Sequence, residues 1–273
     1  MAGQLDRQEP PPRTVAELLP KIRLHGVWVH AVTERDCVRT VFREIDGGRG
    51  GFVHTVNLDL LRRIVSDAEF ARICGATDIR TADGAPLVWA SRLQGTPLPE
   101  RVSGSSLIWS LSEAAAEQRR SVFFLGGAPG TADNAARSLS TRYPGLRVAG
   151  ICSPVVERGT DPLTHRRLSE IVVAAKPDIV YVALGSPKTE ELIDGLRADL
   201  PTCWWIGVGI AFSFVSGDVR RAPRWVQRAG LEWLHRLVQE PRLTKRYLVD
   251  GVPFAVTLLA GSLATRILDI RSR

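Results

Sequence analysis

Cysteine is sparse in this chain. Cys37, Cys74, Cys152 and Cys203 are its only four, they stand far apart, and no Cys-x-x-Cys pair occurs. The five histidines (His25, His30, His54, His165 and His235) are equally scattered, and no two have metal-ligand spacing. A disulfide framework and a structural zinc are therefore not what organises the fold. Free, buried thiols packing as small hydrophobes are expected instead. No Walker loop, no Gly-x-Ser-x-Gly elbow and no Gly-x-Gly-x-x-Gly fingerprint is present, which removes the simplest signs of an NTPase, a serine hydrolase or a dinucleotide enzyme. Long apolar runs are also missing. The longest lies between Asp250 and Arg266, is interrupted by Pro253, and falls short of the roughly 20 residues a bilayer span needs. The N-terminus, with Asp6, Arg7, Glu9 and Pro10 to Pro12, has no apolar core for a signal peptide. These absences predict a short disordered leader over residues 1–20 and a cytoplasmic protein without a spanning helix.

What is present is the material of a globular protein. The 273 residues can bury a real core as one large domain or two intimate lobes, and 44% hydrophobic with 24% charged residues excludes wholesale disorder. The net charge is +7, and its placement matters more than its size. Residues 217–273 hold eleven Arg/Lys against five Asp/Glu, so nearly all the excess lies in the C-terminal fifth. A local basic excess is a footprint for something anionic: nucleic acid, lipid headgroups or phosphates.

Before that tail, apolar runs alternate with segments of helical spacing. Strands are predicted at Leu24–His30, Gly51–Val56, Ser121–Leu125, Leu146–Ile151, Asp178–Leu184 and Cys203–Val208. Helices are predicted at Glu34–Glu44, Leu58–Phe70, Thr131–Arg142, His165–Ala175 and Glu190–Leu200. Continuous apolar strands alternating with helices predict an α/β fold, a mainly parallel Rossmann-like sheet covered on both faces. Ligands in such sheets sit at the carboxyl ends of the strands.

The pattern changes after Gly217. Pro223 can open a helix. Trp225, Ala229, Trp233 and Leu237 recur every four residues beside a row of Arg224, Arg228, Glu232 and Arg236. That spacing predicts one amphipathic helix with an aromatic face and a cationic edge, ending at Pro241. Arg242, Lys245 and Arg246 begin a second amphipathic piece. The chain is thus expected to comprise a leader (1–20), an α/β domain (21–216) and a basic amphipathic appendage (217–273).

Several short motifs stand out, those at Asn57, Gly126-Gly127, Gly185 to Lys188 and Gly207 to Gly209 at predicted strand ends. Thr55 and Asn57 are spaced by two, which would point both to one face. Asp83-Gly84 reads as a turn or as a carboxylate placed for general-base work. Arg101 can neutralise a phosphate or pair on the surface. Gly126-Gly127 and Gly185-Ser186-Pro187-Lys188 link strands to helices, where glycine lets backbone N–H groups approach a phosphate. Lys188 at a helix start opposes the helix dipole, a cost that an anionic ligand would offset. Gly207-Val208-Gly209 closes another strand. Singly, none of these is decisive.

Their order along the chain is specific. The series Thr55-Val56-Asn57, Asp83-Gly84, Arg101-Val102-Ser103-Gly104, Phe124 to Gly130, Gly185-Ser186-Pro187-Lys188 with Glu190, Gly207-Val208-Gly209, Arg221-Ala222-Pro223 and Leu231-Glu232-Trp233 resembles the WecG/TagA/CpsF glycosyltransferases, glycosyltransferase family 26. The resemblance runs from about Leu24 to Tyr247. It implies an inverting, metal-independent hexosyltransferase that needs no cofactor. The donor would be a UDP-sugar carrying a hexose or N-acetylhexosamine-type sugar. The acceptor would be a polyprenyl-diphosphate-linked sugar at the inner face of the bacterial membrane, in exopolysaccharide, capsule or cell-wall glycan synthesis. By resemblance Asp83 matches the base, Thr55 and Asn57 the pocket, and Arg101 a substrate-assisting arginine. Substrate contacts are expected from Gly126, Gly127, Gly185, Pro187, Lys188, Glu190, Gly207, Gly209, Arg221 and Arg224. The appendage resembles a membrane-targeting segment that helps complete the active site. Thr189 stands where the family often has Gln, Ser213 where Asp is common, and Ile151-Cys152-Ser153-Pro154 replaces a more usual aromatic turn.

Direct inversion asks for a base on one face of the sugar and a leaving diphosphate on the other. Three rival readings accompany this one. An NAD-type oxidoreductase lacks its fingerprint. A nucleic-acid binder is disfavoured because the tail's cations alternate with Trp and Leu on helical faces, with no readout motif. A nucleotide-sugar-binding regulator without transferase activity would have no need of Asp83. A homo-oligomer stays open at this level.

Overall fold

The computed structural model describes residues 14–157 and 162–271, save the side chains at 224 and 228. Most of the expected leader lies outside the described residues; its last part, Ala16–Leu18, forms a 3-10 turn.

The chain opens with a small antiparallel hairpin, β1 (Lys21–Leu24) and β2 (Val27–His30). The single strand expected over Leu24–His30 is thus split. His25 and Gly26 take positive φ (48° and 82°), the geometry of a tight hairpin turn whose twist suits the flanking strands.

After α1 (Glu34–Asp46) comes the main unit: β3 (Gly51–Val56), α2 (Leu58–Ser66), α3 (Ala68–Gly75), β4 (Ile79–Ala82), α4 (Ala85–Gln94), α5 (Gly104–Glu117), β5 (Ser121–Gly126), α6 (Thr131–Arg142), β6 (Arg147–Cys152), α7 (Pro162–Ala175), β7 (Ile179–Ala183), α8 (Lys188–Leu196), β8 (Trp204–Gly207) and α9 (Ala211–Ser216). The helix expected over Leu58–Phe70 is two. It breaks at Asp67, whose extended backbone ends α2 while its carboxylate accepts from Phe70 N and caps α3.

The six main strands form one wholly parallel sheet in the order β4-β3-β8-β7-β5-β6. Successive residues of a strand face opposite sides. Phe124, Tyr181 and Trp204 therefore pack beneath α1, α5, α6 and α9, while Phe123, Val180 and Trp205 pack beneath α7 and α8. Both layers are dry, which explains why the strands read as unbroken apolar runs. A third cluster joins the hairpin to α2 and α4 through Leu24, Val29, Leu61 and Leu87.

The C-terminal segment folds back on this body. It comprises α10 (Arg224–Arg228), α11 (Glu232–Gln239), a π-helical stretch (Lys245–Gly251) and α12 (Val252–Arg271). Two expectations fail here. The single amphipathic helix after Pro223 is broken at Gly230, which takes φ 75° and presses against α4. Trp225 consequently stands 70% exposed, while Trp233 turns inward onto Tyr247. The apolar stretch is also not too short. A helical run of 31 residues, Pro241–Arg271, is long and apolar enough to cross a membrane by length and composition. Pro253 does not interrupt it, because it follows the π-helical stretch, where the i→i−4 ladder is already out of step. One side of α12 packs on the body through Leu258 and Ser262. Val252, Val256, Leu263 and Ile267 on the helix remain exposed.

Candidate active site

A cleft of about 790 Å³ opens at the carboxyl ends of β3, β4, β5, β7 and β8. The α/β body supplies its floor and the C-terminal segment one wall, with Gln227, Glu232, Trp233, Arg236, Arg242, Arg246 and Tyr247 among the lining residues.

Asp83 follows β4, and its backbone N–H donates to Val56 O at 2.7 Å, tying the turn to the neighbouring strand. Its carboxylate lines the cleft and is 27% exposed. Arg101 Nη1 stands 3.9 Å from Asp83 Oδ1 and is hydrogen-bonded to Glu232. Burial pushes the Asp83 carboxyl up to about 6; Arg101 opposes this, Glu232 adds to it, and Arg221 and Arg236 pull it down. A carboxylate so poised changes protonation state near neutrality, as a general base must. Glu232 shows the reverse balance. Burial alone would raise it, yet its bonds to Arg101 and Arg221 hold it below the usual range.

Thr55 and Asn57 also line the cleft. The Thr55 hydroxyl donates to Gly207 O at 3.3 Å, joining β3 to β8. Asn57 lies beyond the strand and caps α2, its side-chain oxygen accepting from Leu60 N at 3.1 Å. Both therefore border the same cleft, with the Asn57 NH2 group left over from the cap. Gly104 lets α5 close on this corner: a Cβ there would lie 2.7 Å from Gly207 O.

The glycine turns divide. Gly127, Gly185, Gly207 and Gly209 line the cleft, whereas Gly126 and Pro187 lie behind it. Gly126 has φ 98°, and a Cβ there would meet Ala183 O at 2.7 Å, so glycine is needed for packing between β5 and β7. The Gly127 N–H is already bonded to Ala183 O at 2.8 Å.

Three expected ligand groups are otherwise engaged. Lys188 lines the cleft, and its Nζ spends one donor on Val156 O at 2.6 Å. Glu190 is 3% exposed and pairs with His54, Oε1 to Nε2 at 3.2 Å. Burial would raise its carboxyl, but the His54 partner holds it down. Arg221 does not line the cleft; it bonds Glu232 at 3.2 Å, Ser105 O at 3.2 Å and Ser106 Oγ at 3.3 Å. Arg224 begins α10, but its side chain lies outside the described residues.

Besides Arg101 and Lys188, the cations that line the cleft are Arg236, Arg242 and Arg246. Arg246 is anchored by Asp59 at 3.1 Å, and Arg236 and Arg242 share Glu240. Sequence spacing placed Arg236 in the cationic row, but only the fold-back of the tail aims it at the site. Thr189, one of the departures from the family pattern, is buried, its hydroxyl accepting from Leu184 N at 3.4 Å. Ser213 lines the cleft. Among the described residues no group of three or more His, Cys, Asp and Glu is placed to hold a metal ion.

Such a cleft, with the Asp83 carboxylate and several arginines in its lining, at the carboxyl edge of a parallel sheet, suits transfer from a phosphate-bearing donor. Residues 22–267 match the model of the Glycosyl transferase WecG/TagA/CpsF family, and the chain belongs to that family of enzymes. Among its relatives are two proteins named N-acetylglucosaminyldiphosphoundecaprenol N-acetyl-beta-D-mannosaminyltransferase. The one from Bacillus spizizenii strain W23 is 30% identical over 213 residues, 78% of this chain and 80% of the relative. The one from Bacillus subtilis strain 168 is 30% identical over 216 residues, 79% of this chain and 81% of the relative.

Proposed function

We propose that this glycosyltransferase moves a hexose or N-acetylhexosamine-type sugar, with inversion, from a UDP-sugar to a polyprenyl-diphosphate-linked sugar during bacterial surface-glycan assembly. The observation that carries the reading is the Asp83 carboxylate, raised toward neutrality on the floor of the cleft that the family's motifs surround. The names of the Bacillus relatives, which specify a lipid-diphosphate-linked acceptor sugar, support the acceptor class.

In this reading the acceptor hydroxyl oxygen attacks the anomeric carbon. A new C–O bond forms as the bond from that carbon to the diphosphate oxygen breaks. UDP leaves with the electron pair, and the hydroxyl proton passes to Asp83. Thr55 and Asn57 border the sugar. Charge developing on the departing diphosphate meets fixed donors, which cost no reorganisation at the moment of reaction. Arg236, Arg242 and Arg246 supply guanidiniums, with the backbone turn at Gly185. Arg101 pairs with Glu232 beside the base. No divalent ion is assigned a part.

We assign residues 21–216 to the catalytic domain and 217–273 to an appendage that seats the enzyme on the inner membrane face. The exposed apolar stripe of α12 supports this placement, since an amphipathic helix can bury such a stripe at the headgroup boundary. A screen of UDP-sugars against a synthetic lipid-diphosphate-sugar, read by mass spectrometry, tests the function. Product with the mass of acceptor plus one sugar is expected; no product from any UDP-sugar would contradict the reading.

A further inference from the structure

The tail sets one carboxylate beside Asp83 and Arg101. Glu232 opens α11, and its two oxygens are divided. Oε2 takes the Arg101 guanidinium, and Oε1 takes Arg221 Nε at 3.2 Å. Arg101 also reaches Gln227 Oε1 at 3.5 Å. Asp83 comes second: its Oδ1 lies 3.9 Å from the Nη1 that Glu232 holds, beyond hydrogen-bond reach. Two carboxylates, one from the body and one from the tail, thus compete for one guanidinium, and the tail has the closer hold.

We propose that Glu232 is a positioning residue: by holding Arg101 to the tail, it keeps that guanidinium from closing on Asp83, so that Asp83 is free to accept a proton only when α11 is docked. The proposal rests on the reading of Asp83 as the base. A carboxylate locked in a close arginine pair is a poor base twice over. Its lone pairs are occupied, and the neighbouring cation favours its ionised form. The charged groups facing Asp83 are Arg101, Glu232, Arg221 and Arg236; after burial and Arg101, Glu232 is the strongest influence, and it acts to raise the carboxyl. The arrangement ties competence to docking of the segment that carries the exposed apolar helix.

The test is kcat/KM against pH for the full-length protein, with a UDP-sugar donor and synthetic lipid acceptor in vesicles. Glu232→Gln keeps the shape and removes the charge. Its acidic limb is expected to move to lower pH by at least about half a unit, with a plateau lowered roughly tenfold and UDP affinity unchanged. Glu232→Asp should return the limb toward the parent's position. Gln227→Glu, beside the same guanidinium and close in shape, should move the limb upward, and it provides the reading should Glu232→Gln fail to fold. Unmoved limbs in these variants, with Asp83→Asn inactive, overturn this proposal and leave the base assignment standing. Full activity of Asp83→Asn overturns both.

Discussion

Gly230 lies so close to Ala85 that a Cβ built on it would sit 2.5 Å from the Ala85 Cβ and 3.0 Å from Trp89 Cζ2. Ala85 opens α4, two residues after Asp83. The break between α10 and α11 is therefore where the tail is pressed onto the helix that begins beside the proposed base. Any side chain at 230 would meet both a strained φ of 75° and this contact. Gly230→Ala is expected to cost at least about 1–2 kcal/mol from the left-handed backbone alone. The measurements are a lowered Tm and faster proteolytic cleavage near residue 230. An unchanged melt and digest would mean the tail docks less tightly than described.

Asp83 also carries a stability cost that can be measured apart from catalysis. Its folded carboxyl titrates near 6, above the ordinary value of 3.8. Between those values the folded state binds more protons, so this group's contribution to stability falls as pH rises through that window. Asp83→Asn should therefore raise Tm at pH 7.5, and the gain should vanish below pH 3.8, where the carboxyl is neutral in both states. A lower Tm at pH 7.5 would show the charge to be stabilised by its arginines.

Val252, Val256, Leu263 and Ile267 recur at helical spacing and stay exposed on α12. Replacing Val256, Leu263 and Ile267 by Ser should reduce flotation with anionic liposomes while leaving UDP binding in calorimetry intact. High salt should weaken the remaining binding, since each surface cation contributes roughly 1 kcal/mol that ions screen. Equal flotation of the parent and a chain lacking 217–273 would remove the tail from membrane attachment.

The metal-independent reading has a direct consequence. Transfer is expected to continue at its full rate in excess EDTA, because the charge on the leaving diphosphate is assigned to arginines and backbone N–H groups. Loss of activity on chelation, restored by Mg²⁺ or Mn²⁺, would contradict that assignment.

The sheet was legible because its strands are buried on both faces. Ser121–Gly126, Ile179–Ala183 and Trp204–Gly207 have almost no solvent contact, and their runs of Val, Ile, Phe and Trp say so in sequence. Strand β4 was not legible: four residues containing Arg80 and Thr81 make no apolar run. Helix α4 has Gly84 as its N-cap residue and so no side-chain cap, and its beginning carries little signal. In the tail, four-residue periodicity overrode a glycine in the middle of the row, and periodicity is blind to the sign of φ. Asp83 stood out through the order of motifs, not through its own surroundings. That Arg236, Arg242 and Arg246 reach the cleft while Arg221 does not depends on how the tail folds back. Helical spacing carries no information about that.

The account depends most on proton transfer to Asp83. Its most direct test compares the parent with Asp83→Asn in the transfer assay across pH 5 to 8, with UDP affinity measured alongside. The account predicts that parent kcat/KM rises through about pH 6. It also predicts that the Asn variant loses at least about 100-fold in turnover at every pH while binding UDP nearly as well. An Asn variant that keeps the parent's rate and pH profile would contradict it.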